Sequence, residues 1–393
     1  MRLGLYHEPV HTDGVAFDTY GPFARYALAF ARCFEHVTVF APCTDRPTYF
    51  SGQPLDASNL TVAPLPMFLT HAQAYARWRG IRRVFRQHAD SLDAVNARGT
   101  APLAYLLARA TRGRRVPFVY HFASDPFEMI RTLPRYRGPR GWFARAAYGL
   151  EFAVQKAIVR RNYAFASGRP LADRLRRRMP NVEEVVDSTL VESDYHLRQD
   201  CCRGEVVRVL YVGALRAGKG LDHAVEAVRI LRGRHRAVEL DLVGDGDLRE
   251  DLQAQVRRLG LDACVHFRGP ARMGPQLNAW YDRADVFALP SFSEGSPRVV
   301  LEALGHSLPV VATDVGNIAE QLGAGRRGVL VPAEAPAALA DGIARVIDDA
   351  DLRARCIREG YQFARKHSLD AFVEQMARKI RQLADERRRE ARP

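Results

Sequence analysis

The stretch Leu289-Pro-Ser-Phe-Ser-Glu-Gly-Ser-Pro-Arg-Val-Val-Leu-Glu-Ala-Leu304 decides the fold of this chain. One apolar run, residues 285–289, leads into it, and a second, residues 308–312, follows it. Ser296 is a good N-cap and Pro297 a good first helical residue, so the pattern predicts a strand, a loop, a helix and a further strand. Alternation of this kind is typical of parallel sheets covered by helices.

The predicted helix start also indicates an anion site. Ligands bind at the carboxyl ends of the strands in such sheets, and the unpaired backbone N–H groups of a helix start attract negative charge. The residues at this position are Gly295, Ser296, Pro297, Arg298 and Val299.

Two carboxylates belong to the same stretch. Glu294 lies in the loop and Glu302 on the predicted helix, so both can face one ligand and accept hydrogen bonds from sugar or ribose hydroxyls. Taken alone, the pair is better explained by a turn residue and an ordinary helix charge. Within this arrangement of strand, cap and helix, the functional interpretation is favoured.

A glycine-rich loop, Tyr211-Val-Gly-Ala-Leu-Arg-Ala-Gly-Lys-Gly220, follows another apolar strand. Glycines such as Gly213 let the backbone approach a ligand, and Arg216 and Lys219 could neutralise a departing diphosphate. A solvated basic turn is the alternative. Gly244, in the turn Val243-Gly-Asp-Gly-Asp247, ends the next strand at the same edge, where a plain turn is equally consistent with the sequence.

Outward from these motifs, both halves of the chain alternate apolar runs with helical stretches, which predicts two doubly wound, Rossmann-like α/β domains. We expect an N-terminal domain over residues 1–196 and a C-terminal domain over residues 205–365, with a linker in 191–204. A helix within residues 366–393 is expected to return to the first domain. The expected strands are 3–7, 37–41, 60–65, 94–97, 118–122, 164–167, 184–187, 207–212, 238–243, 265–268, 286–289 and 309–312.

These residues together resemble the retaining glycosyltransferases of family 4, whose architecture of two Rossmann-like domains facing across a cleft is called GT-B. The resemblance is strongest over residues 209–321. It implies that Glu294 and Glu302 form the E-x7-E pair, near the donor sugar and the ribose respectively, and that Lys219 binds the diphosphate of a nucleotide sugar. It also implies that His121, which ends the apolar run at 118–122, contacts the transferred sugar from the other domain, at the rim of the cleft.

Glu294 and His121 are thus the expected catalytic residues, and Gly14 is expected on the acceptor side. By itself, a histidine after a strand is more often structural. The resemblance implies that neither a metal nor another cofactor is needed. The chain departs from the family at Ala214, where a basic residue is usual, so Arg216 is the candidate substitute, and at Ser296, where an aromatic residue is usual. It also has Gly14 and Gly21 where paired glycines are expected.

The net charge of +13 is concentrated in the first half of the chain. Residues 77–178 hold 23 basic and 6 acidic side chains. Two stretches of this half, 71–88 and 140–160, mix arginines with aromatic and aliphatic residues, a composition that suits an anionic membrane interface. A core-facing helix with a solvated basic face explains each stretch equally well. The N-terminus lacks a signal peptide pattern, so we expect a cytoplasmic protein. The two stretches together with the excess of basic side chains favour peripheral attachment to the inner face of the membrane. Such attachment fits a glycan or lipid-linked acceptor.

Other classes of protein fit less well. A nucleic-acid-binding protein would explain the charge, but the sequence shows no such fold, so no nucleic-acid partner is expected. A nicotinamide-dependent oxidoreductase would need a G-x-G-x-x-G motif after a strand, which is absent. A GT-B enzyme of other chemistry, such as a nucleotide-sugar epimerase or a phosphorylase, stays open because fold alone does not decide reaction type.

Overall fold

A computed structural model describes residues 1–7, 9–45, 52–99, 101–124 and 138–390, without the side chains of residues 139, 140, 143 and 144. The chain forms two compact units. The first unit runs to Asp187 and takes in the chain again from Leu369, and the second comprises Ser188–Ser368.

The first unit is built on a mostly parallel sheet. Among the described residues, its main strands follow the order β10-β9-β8-β7-β1-β4, with β6 also on β4, and the short strands β2, β3 and β5 extend one edge. The strands are β1 (Arg2–Tyr6), β2 (Val10–Thr12), β3 (Phe17–Thr19), β4 (His36–Thr44), β5 (Gln53–Pro54), β6 (Leu60–Leu65), β7 (Ala94–Arg98), β8 (Phe118–Phe122), β9 (Tyr163–Ser167) and β10 (Val182–Val185). The helices are α1 (Gly21–Cys33), α2 (His71–Ala76), α3 (Trp78–Ala89), α4 (Ala104–Ala110), α5 (Pro139–Val159) and α6 (Arg169–Arg176).

The second unit has a fully parallel sheet with the order β13-β12-β11-β14-β15-β16 over the described residues. Its strands are β11 (Val207–Val212), β12 (Val238–Val243), β13 (Val265–Gly269), β14 (Val286–Leu289), β15 (Val310–Thr313) and β16 (Gly328–Val331). Its helices are α7 (Leu221–Gly233), α8 (Arg249–Arg258), α9 (Pro275–Arg283), α10 (Arg298–Gly305), α11 (Ile318–Gln321), α12 (Pro336–Asp348) and α13 (Ala350–Lys366), and α14 (Leu369–Glu390) follows in the first unit.

This strand order is that of a Rossmann fold, with a reversal between β11 and β14. The strands are near-continuous apolar runs because helices cover both faces of such a sheet. In α7, for example, buried side chains recur at Leu221, Ala224, Val225, Val228 and Leu231, which is the spacing of a helix with one face in the core. The predicted fold class of two Rossmann-like domains is confirmed.

The C-terminal helix packs on the first unit, as the sequence predicts. Phe372 and Met376 of α14 are buried against Tyr26 of α1, with 5.9 Å between the Tyr26 and Phe372 ring centroids. Arg388 pairs with Asp93 at 3.0 Å farther along the helix. The first unit therefore has its last structural element more than 180 residues after its other elements.

The segment predicted as a linker, residues 191–204, packs closely within the second unit. The Arg198 guanidinium donates to the carbonyls of Tyr281, Ala284 and His306, at 2.9, 2.7 and 3.1 Å. Tyr195 donates through its hydroxyl to the Ala364 carbonyl. These contacts put the division between units at Asp187, nine residues before the predicted end of the first domain.

Candidate functional site

The candidate site lies at the carboxyl edge of the second sheet, where the strand order reverses. The neighbouring strands β11 and β14 end at Val212 and Leu289, and the loops 213–220 and 290–297 leave from these ends. A backbone bond at 2.8 Å from the Phe292 N–H to the Gly218 carbonyl joins the two loops. The reversal of strand order leaves a crevice at this edge in Rossmann sheets, which is where their ligands bind.

Glycines allow these loops to approach each other closely. Gly220 has a φ of +62°, and a Cβ there would lie 2.0 Å from the Pro290 carbonyl oxygen. Gly244, with a φ of +144°, lies so close to the next loop that a Cβ would be 1.9 Å from the Gly213 carbonyl oxygen. Residues with side chains would push the loops after β11, β12 and β14 apart, so these glycines keep the edge compact.

The central contact of the site joins the two loops through side chains. The Lys219 ammonium lies 2.6 Å from Oε1 of Glu294, and the Ser291 hydroxyl donates to the same oxygen at 2.7 Å. The Lys219 and Glu294 side chains are only 16% and 10% exposed. Little water reaches the pair, so its charges interact more strongly than they would on an open surface. One positive and one negative charge thus lie at the sheet edge where ligands bind in Rossmann folds.

The glycine loop keeps its shape through Tyr211. The Tyr211 hydroxyl donates to the Ala214 carbonyl at 3.0 Å, and burial together with the Glu294 carboxylate raises the pKa of Tyr211, so it remains a donor at neutral pH. Arg216, in the same loop, is exposed. The structure thus places Arg216 beside the position of the missing basic residue, Ala214, with its guanidinium open to solvent.

The helix start differs by one residue from the prediction. Helix α10 begins at Arg298, with Pro297 as its N-cap, and Ser296 makes no capping bond. The Ser296 hydroxyl instead accepts a hydrogen bond from the Asn317 side chain at 3.2 Å. The Asn317 N–H also donates to the Gly295 carbonyl at 2.9 Å. The expected cap is wrong, but the N–H groups of Arg298 and Val299 still begin a helix at the switch point.

Glu302 lies in a different polar group from Glu294. Its side chain is buried, and its two oxygens accept hydrogen bonds from Thr189 and Tyr281, each at 2.9 Å. His306 stacks on the Tyr281 ring with centroids 5.0 Å apart. Burial and the carboxylate raise the pKa of Tyr281, so its hydroxyl donates. Glu302 and Glu294 thus have different hydrogen-bond partners, and the expectation that both carboxylates face one ligand stays a prediction.

His121 is fully buried, which corrects its expected position at the rim of a cleft. Strand β8 lies inside the first sheet, and the ring is within 5.6 Å of the Phe372 ring on α14. Its Nε2 lies 3.0 Å from the Ser167 hydroxyl, while Nδ1 has no partner among the described residues. Burial, with help from Arg98 and against Asp187, lowers the pKa of His121 to about 3, so the ring is neutral.

Gly14, the predicted acceptor-side residue, lies in the turn between β2 and β3 of the first unit. Its φ is +93°, its N–H donates to the Thr12 hydroxyl at 3.0 Å, and a Cβ there would meet nothing within 4 Å. These are the requirements of a turn, and the Asp13 carboxylate caps the same turn through the N–H groups of Val15 and Ala16. A role toward an acceptor stays a prediction.

Gly316, Asn317 and Gln321 also shape the site, although they are not among the predicted site residues. Gly316, which follows β15, has a φ of +58°, and a Cβ there would lie 2.0 Å from the Glu294 carbonyl oxygen. Asn317 and Gln321 are buried beside Ser296, and each has a side-chain oxygen without a partner in the described part of the chain. Gly316 and Asn317 could have been found from the sequence, since they follow a predicted strand whose carboxyl end lies at the same edge of the sheet.

The described residues were also searched for metal-ligand clusters and for membrane-spanning helices. No group of three His, Cys, Asp or Glu side chains clusters in the described ranges as metal ligands would. Within the same ranges, no helix is long and apolar enough to cross a lipid bilayer.

Two Rossmann-like units are the architecture of the GT-B fold, and solved structures with a similar fold support this assignment. The chain is similar over 98% of its length to a sucrose-phosphate synthase from Thermosynechococcus elongatus, with a TM-score of 0.76 at 19% identity and 99% of that structure covered. It is also similar over 97% of its length to Anabaena HepE in complex with UDP and glucose, with a TM-score of 0.71, 17% identity and 100% of that structure covered.

Sequence comparisons match part of the chain. Residues 206–349 match the family described as Glycosyl transferases group 1. Over 155 residues the chain is 35% identical to a D-inositol 3-phosphate glycosyltransferase of Paenarthrobacter aurescens (strain TC1), a match to 38% of this chain and 38% of that relative's length. The residues that match this family include Lys219, Glu294 and Glu302.

Proposed function

We propose that this protein is a glycosyltransferase that moves a sugar from a nucleotide-diphosphate donor to an acceptor with retention of the anomeric configuration. The observation that carries the proposal is the Lys219–Glu294 pair, which joins the loops after β11 and β14 at 2.6 Å across the switch point. A cation, a helix start and glycines that bring the backbone close suit a diphosphate, and a neighbouring carboxylate suits sugar hydroxyls.

The donor would be held by residues of the second unit. The Lys219 ammonium and the N–H groups of Arg298 and Val299 would bind the diphosphate, with Arg216 reaching it from the exposed part of the loop. A diphosphate that gains negative charge as it leaves is stabilised by such fixed positive groups. Glu294, freed from Lys219 once the diphosphate binds the ammonium, would then accept hydrogen bonds from the sugar.

Retention does not require a carboxylate nucleophile in this scheme. The leaving phosphate itself would take the proton of the acceptor hydroxyl on the same face of the sugar. The protein contributes positioning and charge stabilisation, and exclusion of water from the reacting atoms protects the donor from hydrolysis. No metal enters the scheme, because Lys219 and the helix start supply the positive charge.

Glu302 would act on the ribose through its existing group of hydrogen bonds. A carboxylate oxygen has room for a second donor, so the bonds from Thr189 and Tyr281 fix the orientation of Glu302 without filling both of its oxygens. A ribose hydroxyl would add to this group. His121 is neutral and buried, so its contact with the sugar would require a movement that makes the ring accessible.

The acceptor is proposed to be a glycan or a lipid-linked sugar made in cell-surface polysaccharide or glycolipid synthesis. The basic side chains of the first half, 23 against 6 acidic ones in residues 77–178, support attachment of the protein to the anionic inner face of the membrane. Such attachment would bring the enzyme to an acceptor that does not leave the bilayer.

A donor screen followed by product analysis tests the proposal. UDP- and GDP-sugars are first ranked by thermal shift, because a ligand that binds only the folded state raises its stability. The best donor is then incubated with candidate acceptors, and NMR identifies the anomer formed. We expect a new glycosidic bond of the donor's own configuration. An epimerised nucleotide sugar or a sugar phosphate would instead assign the chain to the epimerase or phosphorylase class.

A further inference from the structure

We infer that the outer face of α3 is a docking surface for anionic lipid headgroups, here called the arginine ridge and defined as Trp78, Arg79, Arg82, Arg83 and Arg86. The inference rests on the proposed membrane attachment and names the surface that makes it. The ridge lines an open groove of about 380 Å³ together with Gln87.

The inner face of α3 fixes the ridge in place. Ile81, Phe85 and Ala89 are buried, and the Phe85 ring packs edge-on against Tyr6 and Phe40, with centroids 5.4 Å away in both cases. Gly80 lies so close to β6 that a Cβ would be 2.9 Å from a ring carbon of Pro66. The helix is therefore anchored to the sheet along one side, and its arginines occupy the other side.

The ridge arginines repel one another on the helix. Arg79 precedes Arg82 and Arg83 by three and four residues, and both of these precede Arg86 by three or four. Like charges at these spacings destabilise a helix. None of the four has a carboxylate within ion-pair distance among the described residues, although Arg79 and Arg82 contact the Trp78 ring, at 5.6 and 5.9 Å from its centroid. Four clustered cations without acidic partners indicate an anionic ligand outside the chain.

Apolar side chains flank the ridge on the solvent side. Leu69, Tyr75 and Trp78 are 64%, 43% and 38% exposed, and they precede or begin the ridge. Aromatic side chains with adjacent arginines are the composition of helices that lie in the interface of an anionic bilayer. A soluble anion would match the arginines alone, whereas a lipid surface matches both the charge and the exposed apolar side chains, so the partner we propose is the lipid surface.

Helix α5 of the same unit has further exposed apolar side chains. Its Trp142 and Leu150 are 65% and 69% exposed, and its Tyr148 ring contacts the His71 ring of α2 at 5.1 Å. The helices α2, α3 and α5 therefore belong to one region of the first unit. Phe143 and Arg140, which the sequence analysis included in this helix, lie outside the described side chains.

Vesicle sedimentation tests the inference without any assay of transfer. The variant Arg82→Gln/Arg83→Gln/Arg86→Gln is compared with Arg232→Gln/Arg257→Gln/Arg258→Gln, which removes the same charge from exposed arginines of α7 and α8 in the second unit. Each arginine near an anionic surface raises the vesicle-binding constant roughly fivefold. Loss of three arginines should therefore weaken the binding of phosphatidylglycerol-containing vesicles by about 100-fold relative to wild type. The control should bind nearly as wild type, and neither should bind pure phosphatidylcholine vesicles.

Trp78 provides a second measurement. In a Trp142→Phe/Trp280→Phe background it is the sole tryptophan, and brominated lipids should quench its fluorescence when vesicles are added. Equal binding by the ridge variant and its control, or binding without quenching of Trp78, overturns the inference. Stronger retention by duplex DNA than by the vesicles also overturns it and favours nucleic acid. The donor thermal shift is independent of these results, so failure here leaves the proposed reaction standing.

Discussion

At the scale of single residues, the Lys219–Glu294 pair shows how the site balances charge before a ligand arrives. Both side chains are largely shielded from water, and Ser291 shares the accepting oxygen. Removing one member of such a pair leaves the other without its partner in a place where water cannot compensate fully. The pair should therefore be coupled energetically, unlike the many exposed ion pairs of this chain.

A double-mutant cycle measures that coupling. Lys219→Met, Glu294→Gln and the double variant are unfolded in urea, with Trp280 as the probe of the second unit in a Trp78→Phe/Trp142→Phe background. We expect a coupling free energy of about 1–3 kcal/mol. The exposed pair Arg229–Glu226, treated in the same way, should give at most about 0.5 kcal/mol. Additive effects at Lys219 and Glu294 would contradict the account of the pair.

Glycines give a second prediction at this scale. Gly218 and Gly220 lie in the same loop with positive φ values, +87° and +62°, but only at Gly220 would a Cβ strike another loop. Gly218→Ala should therefore cost about 1 kcal/mol for its backbone conformation alone, whereas Gly220→Ala should cost at least about 3 kcal/mol. Equal costs in urea unfolding, followed by Trp280 fluorescence, would mean that the loops are not held as close as the structure places them.

His121 makes the stability of the first unit depend on pH. Its pKa is about 3 in the folded chain and near 6.5 when unfolded, so acid protonates the unfolded chain first. The contribution of the neutral ring is fully present above pH 6.5 and falls as the pH drops toward 3. Between pH 6.5 and 5 it should decrease by roughly 2 kcal/mol.

The measurement compares wild type with His121→Asn, and with His235→Asn as a control at an exposed histidine. Urea unfolding of the first unit at pH 6.5 and 5 should show a smaller loss for His121→Asn than for wild type and His235→Asn. If all three proteins lose the same stability, His121 is not buried and neutral.

At the scale of elements, α14 is the piece of the chain whose position matters most. Phe372 is 3% exposed and packs against Tyr26 and His121 of the first unit. Truncation of a buried phenylalanine costs about 3–5 kcal/mol. Phe372→Ala should therefore destabilise the first unit by this amount, although the residue follows the whole second unit in sequence.

The control for this prediction is Glu386→Ala, near the end of the same helix. Hydrogen exchange resolves the two variants: Phe372→Ala should increase exchange in α1 and β8 as well as in α14, and Glu386→Ala should leave α1 and β8 unchanged. Increased exchange confined to α14 would show that the helix is not part of the core of the first unit.

Elements differ in how well their sequence predicts them. The predicted ranges of β8, β11 and β12 match the structure, because each strand is rich in apolar residues and lies between polar turns. Strand β16 was missed, since Gly328–Val331 is short and follows a basic, glycine-rich stretch. Strand β10 begins at Val182, two residues before the predicted start, and the Val182 side chain is buried.

The site was less predictable than the fold for a physical reason. The spacing of Glu294, Lys219 and the glycines reflects one local requirement, strand ends at a common edge, which a sequence displays directly. The hydrogen-bond partners of Glu302 cannot be recognised from a local sequence pattern, since Thr189 lies 113 residues away. Likewise, burial of His121 depends on α14, which returns from the far end of the chain, and no local pattern carries that information.

At the scale of the whole molecule, the two units divide the chemistry. The glycine loop, the Lys219 ammonium and the helix start all belong to residues 188–368, the unit that contains the match to the family described as Glycosyl transferases group 1. The excess positive charge belongs to the first half of the chain, with 28 basic and 18 acidic side chains in residues 1–200. We therefore expect donor binding to depend weakly on the lipid surface, and attachment to depend strongly on salt because it is electrostatic.

Binding of a nucleoside diphosphate by the second unit is expected to depend on Lys219. Calorimetric titration of UDP and GDP into wild type, Lys219→Met and the exposed-cation control Arg257→Gln tests it most directly. We predict that one nucleotide binds wild type and the control alike, and that Lys219→Met weakens binding by about 10- to 100-fold, the effect of losing one charged hydrogen bond. Absence of binding by wild type, or equal affinity in Lys219→Met, would contradict the account.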